Sequence, residues 1–266
     1  MKNILPKIVI LFFLFFASIT YSQSSVSHEV GILFGPASFQ TDFGQRHDFP
    51  SANQSTLAIG VSHYLKFFGN QYNWRSGTSF FSEHFKLKTE FTYLFNTNIK
   101  HEGDYVKGNG ATAEKLKAMT GEIKMYNIGT NLEFYFLRID DYTSFFGNRK
   151  SVNPYISVGL QFSMYDPDIL VDGVSLDGQE EPLTQLIDKW QNDAIYLDKG
   201  NTFGVSAGAG VRFSLDTFDF VIDSRWQHFF SDKVDGLDDF SSDSGSDYND
   251  TMVFINIGAV YVFKGF

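Results

Sequence analysis

Apolar and polar positions alternate with period two along most of the chain, and the alternation resolves into eight segments. The last is the clearest. Val253, Ile255, Ile257, Ala259, Tyr261 and Phe263 share one face, with Asn256, Gly258 and Lys264 opposite. Earlier segments repeat the pattern at residues 30–34, 57–67, 85–95, 126–136, 156–164, 203–215 and 220–230. In the third, Phe85, Leu87, Phe91, Tyr93 and Phe95 oppose Lys86, Lys88, Glu90, Thr92 and Asn96. In the fifth, Ile156, Val158, Leu160, Phe162 and Met164 oppose Tyr155, Ser157, Gly159, Gln161, Ser163 and Tyr165. Such alternation predicts strands with two unlike faces. The more apolar face is continuous and edged by Phe, Tyr and Trp, whereas the other carries Gly, Ser, Asn and charges.

Alternation alone leaves open which face meets solvent, so a soluble lipocalin-like barrel with the apolar face inward is the competing arrangement. Strand length favours the other one. Segments of about 10 to 14 residues match a tilted membrane crossing and exceed the roughly 5 to 6 usual in soluble sheets. The expected fold class is therefore all-β: an eight-stranded antiparallel transmembrane β-barrel of the outer-membrane type, apolar outward and polar inward. The inward set then contains Glu29, Lys66, Lys86, Lys88, Glu90, Glu133, Arg212, Asp223 and Arg225, of nearly balanced charge. An eight-strand lumen is just filled by side chains, so these residues are expected to pair as a polar core rather than to line a channel.

Residues 1–22 have a different character. Lys2 and Lys7 precede an almost wholly apolar run at 8–19, and small or polar residues follow at 20–25. That is the layout of a secretory signal peptide, too short for a membrane-spanning helix, with Gln23 as the new N-terminus. Residues 23–266 are then one barrel domain. With its first strand starting in the periplasm, the connections at 37–56, 97–122, 166–201 and 231–250 face outward and are long and polar. Those at 68–83, 137–153 and Asp216-Thr217 face the periplasm, and the first two are longer than such barrels usually have. Thr112 is placed to cap a helix over 113–119, and residues 183–190 have helical character.

Composition removes several function classes. The 266 residues include 30 Phe and 13 Tyr but no Cys, which excludes disulfides, thiolate metal sites, a Cys nucleophile and a lipid-modified N-terminal Cys. A net charge of −10, or −12 once Lys2 and Lys7 are removed, argues against a nucleic-acid partner. Gly204-Val205-Ser206-Ala207-Gly208 matches the nucleophile-elbow pattern, but more alternating strand follows where that motif needs a turn into a helix. Gly208-Ala209-Gly210 fails as a dinucleotide fingerprint for the same reason. Ser224, Trp226 and His228 share the outward face of the seventh segment and His63 that of the second, which raises acyl transfer on lipid. Ser224 and His228, however, stand about 13 Å apart along a strand, too far for one to activate the other. The connection at 166–201 holds nine acids against Lys189 and Lys199, and that at 231–250 holds seven Asp against Lys233. Asp166, Asp168, Asp172 and Gly173 only superficially match a calcium loop, and solvated acidic loops are the expectation. No catalytic, cofactor-binding or metal-ligating residue and no cofactor is expected.

The words His28-Glu29-Val30-Gly31, Asp42-Phe43-Gly44, His84-Phe85-Lys86-Leu87, Ala118-Met119-Thr120-Gly121, Ser224-Arg225-Trp226-Gln227 and Val234-Asp235-Gly236-Leu237 resemble a family of Bacteroidota outer-membrane β-barrel proteins. Some of its members carry the name glutamate dehydrogenase, at odds with a signal peptide, eight strands and no dinucleotide motif. The chain is also distantly similar to PorG-like barrels of the type IX secretion system. The resemblance implies a non-enzymatic integral outer-membrane protein with a structural, anchoring or secretion-accessory role. A small porin-like transporter and an outer-membrane lipid hydrolase are the alternatives. Expected partners are outer-membrane lipid and lipopolysaccharide, the barrel-assembly machinery during insertion, and periplasmic secretion components.

Overall fold

A computed structural model describes residues 26–44, 55–67, 79–95, 97–139, 152–177, 186, 194–215, 218–237 and 249–263. The signal-peptide segment 1–22, Asn96, the Asp216-Thr217 turn, Lys264 and nearly all of 183–190 lie outside them. The strands are β1 (Val26–Gln40), β2 (Ser55–Phe67), β3 (Phe85–Leu94), β4 (Ile99–Lys100), β5 (Met119–Tyr135), β6 (Val152–Val171), β7 (Val174–Ser175), β8 (Gly200–Ser214), β9 (Phe218–Phe229) and β10 (Thr251–Val262). Two short helices, α1 (Phe80–His84) and α2 (Ala111–Ala118), lie in connections. The helix α2 begins at Ala111, so Thr112 is already inside it and is not its cap. Gly110 is the N-cap, and no side chain caps the helix.

Eight strands close into one antiparallel ring, β1-β2-β3-β5-β6-β8-β9-β10 and back to β1, while β4 and β7 attach to β5 and β6. Closure rests on the last pair, which runs in register from Glu29↔Val262 to Gln40↔Thr251. Near its middle the two backbones approach so closely that a Cβ on Gly35 would overlap the Ile255 carbonyl oxygen. Glycine is required there by the space rather than by the backbone angle. A closed ring leaves no strand edge, which is the condition for strands to sit in hydrocarbon.

The exposed apolar residues show where that hydrocarbon is. Ile32, Ile59, Val61, Ile128, Val158, Leu160, Ile222, Ile255 and Ile257 all point outward and are exposed. A belt of this size has no place on a protein surrounded by water. Aromatic rings edge it. Phe85 and Tyr93 on β3, like Phe134 and Tyr126 on β5, stand eight residues apart, about 26 Å along strands tilted by about 35–45°, so the two aromatic edges lie roughly 20 Å apart in height, within the apolar band of about 25 Å in outer-membrane barrels.

Above the upper aromatic edge the alternation reverses phase. On β5, Tyr126, Ile128 and Leu132 point outward, but Met119, Ile123 and Met125 point inward and are buried, with Thr120, Glu122 and Lys124 outside. On β6 the apolar positions likewise move inward at Ile169 and Val171, and on β1 at Ala37 and Phe39. The barrel thus continues past the membrane into water, where the apolar face must turn in. Residues 119–122 and 166–171, which a single phase marks as outer loop, are strand for this reason. Asp172-Gly173 is no calcium loop either. Both residues have positive φ, 50° and 80°, and they form the two-residue turn joining Val171 to its partner Val174.

The inside and outside assignments predict unequal responses to arginine. Ile257→Arg and Val158→Arg, both outward in the belt, should each lower assembly by about 2–4 kcal/mol. Ser157→Arg should instead act by crowding the lumen. Heat-shifted gel migration measures the folded fraction, and equal tolerance of all three would contradict the assignment.

Candidate functional site

The lower lumen is filled by ion pairs contributed by strands that the ring brings face to face. Glu29 of β1 receives Lys86 of β3 at 2.8 Å and Arg212 of β8 at 2.6 Å. The Arg212 Nε donates in turn to Asp219 of β9 at 2.7 Å, and its guanidinium lies over the Tyr64 ring at 5.1 Å. A second group joins Lys88 to Glu90 at 2.6 Å and to Asp223 at 3.3 Å. Arg225 pairs with Glu90, and the Asn256 amide donates to Asp223. The Tyr155 hydroxyl also donates to Asp223, at 3.1 Å, and the Tyr135 hydroxyl to Glu133, at 2.7 Å. All these charged side chains are buried, Arg212 completely. Seven of the nine residues predicted inward, Glu29, Lys86, Lys88, Glu90, Arg212, Asp223 and Arg225, therefore meet in ion pairs, and Glu133 is held by the Tyr135 hydroxyl. Lys66 is buried with them, and Asp219 is the member that reading missed. Its place two positions below Val221 and four below Asp223 carries the signal, since period two puts all three inside.

Above the ions comes an uncharged polar layer. The Gln161 amide donates to Asn131 at 3.1 Å and to the Ser206 hydroxyl at 2.9 Å, and the Gln227 amide donates to the Ser163 hydroxyl at 3.0 Å. Ser206, the serine of the elbow-like motif, is thus one of the residues filling the lumen. Its strand β8 runs straight through, Gly204 pairing with Gln161 and Gly208 with Ser157.

Over this layer the barrel has an apolar cap. Phe39, Ile123, Met125, Ile169, Phe229, Met252 and Phe254 point in from the strand extensions and pack with Leu116 of α2, Ala194, and Val234 and Leu237 of the β9–β10 connection. Two buried carboxylates tie that connection down. Asp235 accepts the backbone N–H of Asp42 at 3.0 Å and of Leu237 at 2.9 Å, and Asp250 accepts that of Val234 at 3.1 Å. Burial first, then the Asp42 carboxylate beside Asp235 and the Asp235 carboxylate beside Asp250, holds both well above the usual carboxylate range. Among the described residues no group of three or more His, Cys, Asp or Glu is arranged to hold a metal ion.

On the outer wall, Ser224 and His228 of β9 are four residues apart. The His228 ring stacks on Trp226 at 5.9 Å and meets the edge of Phe230 at 6.0 Å. His63 is placed elsewhere, on β2, with its Nε2 3.0 Å from Nδ1 of His28 on β1. The wall brings His63 to His28, a pairing that strand register alone reveals, and does not bring it to Ser224.

A closed ring with a lipid-facing belt, a charged lumen and a water-facing cap defines an eight-stranded antiparallel β-barrel of the outer-membrane type. No protein-family model and no curated protein sequence matches the chain. Among solved structures it is similar to a major outer membrane protein of Thermus thermophilus, with TM-score 0.47 and 9% identity over 90% of this chain and 100% of that one. It is also similar to Neisserial surface protein A, with TM-score 0.42 and 11% identity over 90% and 98% of the two chains. A third similarity is to OprG of Pseudomonas aeruginosa, with TM-score 0.39 and 12% identity over 90% and 95%.

The lumen and the cap each generate a prediction. Arg212→Met leaves Glu29 and Asp219 buried without their shared cation, so it should destabilise the barrel by about 3–5 kcal/mol, read as a lower urea midpoint for unfolding. The cap should respond to pH through Asp235 and Asp250. Their folded values are raised, so the folded cap holds protons that the opened cap releases. Its stability is greatest near and below the ordinary Asp value of 3.8 and is lost as pH rises through the raised folded values. Amide exchange at Val234 and Leu237, corrected for intrinsic rate, should therefore speed up as pH rises above 3.8, and Asp250→Asn should flatten that rise.

Proposed function

We propose that the protein is an integral outer-membrane barrel that does no chemistry and passes no solute, and that serves the envelope as a structural or anchoring element. The observation that carries this reading is the filled interior. Arg212, Lys86, Lys88, Glu29, Glu90 and Asp223 occupy the lumen as mutually paired, buried charges. Opening a water path through them would separate pairs that hold each other's desolvated charge. The cap lies above them as a second barrier.

Residues 1–22 fit this reading as the export signal, removed on the way to the outer membrane. The words shared with Bacteroidota outer-membrane barrels, and the distant similarity to PorG-like proteins, support placing the anchoring role beside the type IX secretion apparatus. Periplasmic secretion components would then be the partners, with lipopolysaccharide outside and the barrel-assembly machinery acting at insertion.

Planar-bilayer recording tests the core of the proposal. Purified, refolded protein should insert without producing stepwise conductance. Reproducible unitary steps in the unmodified protein would overturn it in favour of a small porin.

A further inference from the structure

The inner connection between β2 and β3 is longer than a barrel turn needs, and its described end is not a loop below the barrel mouth. Helix α1, of sequence Phe-Phe-Ser-Glu-His, folds back against the outside of the wall. The Phe81 ring stacks on Phe85 at 4.8 Å and lies 5.1 Å from Phe67. The Phe80 ring lies 4.6 Å from His84, 6.3 Å from Phe85 and 6.2 Å from Phe134. Phe67, Phe85 and Phe134 belong to the outward face of β2, β3 and β5, so the helix adds its rings to the lower edge of the lipid-facing belt. Beyond that contact the rings remain open, with Phe80 63% and Phe81 45% exposed.

The polar groups of the segment tie it to the barrel. Glu83 pairs with Arg138 of the β5–β6 connection at 2.5 Å, and His84 Nδ1 lies 2.7 Å from the Tyr135 carbonyl. These contacts hold the helix on the barrel in one orientation. The Glu83 N–H donates to the Ser79 carbonyl at 3.1 Å, the Ser82 hydroxyl donates to the same oxygen at 2.9 Å, and the Phe85 N–H closes the turn on the Phe81 carbonyl. Elsewhere on this rim Phe218, Tyr261 and Phe263 carry the aromatic edge.

We infer that α1 is a membrane foot: an interfacial helix whose Phe80 and Phe81 rest in the inner leaflet beside the barrel, widening its hold on one side. The inference rests on the membrane reading of the belt. Three points favour lipid over a periplasmic protein as the occupant. The phenyl rings are continuous with the belt that lipid already covers, and the segment's carboxylate, Glu83, is neutralised by Arg138. A helical turn with aromatic rings toward the belt and its polar groups tied to the barrel is also the form a chain takes in the headgroup and acyl boundary. In water the same rings would be an apolar patch without cover.

Tryptophan fluorescence in vesicles of phosphatidylcholine brominated on the upper acyl chain tests this. Trp74→Phe and Trp190→Phe leave Trp226 as the lone reporter of the barrel wall. In that background Trp226→Phe is combined with Phe80→Trp or, separately, with Phe81→Trp, so that the result does not hang on one substitution. Heat-shifted gel migration confirms that each variant is folded. The foot requires that brominated lipid reduce emission from both new positions, as it does from Trp226, and that aqueous iodide have little effect. If Trp226 is quenched by lipid while both new positions are quenched by iodide alone, α1 faces the periplasm and the inference fails. If Trp226 itself escapes lipid quenching, the membrane reading fails with it.

Discussion

A strand in hydrocarbon has no water to accept the hydrogen bonds of its amides, so every backbone group must be paired within the sheet. That constraint governs the rest of this molecule. It requires β1 to find β10, in one register from Glu29 to Gln40 interrupted only at Gly35 and Pro36, across more than two hundred residues of chain. It makes Gly35 necessary where those two backbones come closest. It also sets the interior, because eight strands enclose a space that side chains alone can fill.

What fills that space follows from the same geometry. Inward positions cannot reach lipid and are shut off from water, so a charge placed there must meet its opposite. Glu29, Lys86 and the Arg212–Asp219 hairpin come from parts of the chain far apart in sequence, and each of the four residues is within ion-pair distance of another. Replacing such a network by apolar side chains need not weaken a protein. What breaking it would do is strand a charge. The lumen is therefore a set of interlocked requirements, and its polarity is compatible with a closed barrel rather than a sign of a pore.

The barrel and the charged lumen are legible in the alternation because the belt and the lumen differ in polarity at every second residue. The pattern reads Ile257 and Val158 as outward and Arg212 and Lys86 as inward, and the structure agrees. The outer cap is not legible for an equally physical reason. A single rule, apolar outward, holds only where lipid is outside. From Met125 back to Met119, and from Tyr165 on to Val171, water is outside and the same alternation carries the opposite meaning, so regular strand reads as polar loop. Helix α1 escapes notice because its few residues are too short a run to establish a period. The tie of Asp235 to Asp42 is hidden because it joins loops 193 positions apart.

The central claim is that the phase reversal marks where lipid gives way to water. The chain has no cysteine, so single Cys variants along the outward face of β5 report on that boundary without further change. Glu122→Cys, Lys124→Cys, Ile128→Cys and Thr130→Cys, placed in lipid nanodiscs, are treated with a bulky hydrophilic maleimide. The account predicts rapid labelling at positions 122 and 124 and protection at 128 and 130, with the protection lost in denaturant. Labelling at equal rates along all four positions in the folded, lipid-embedded protein would contradict it.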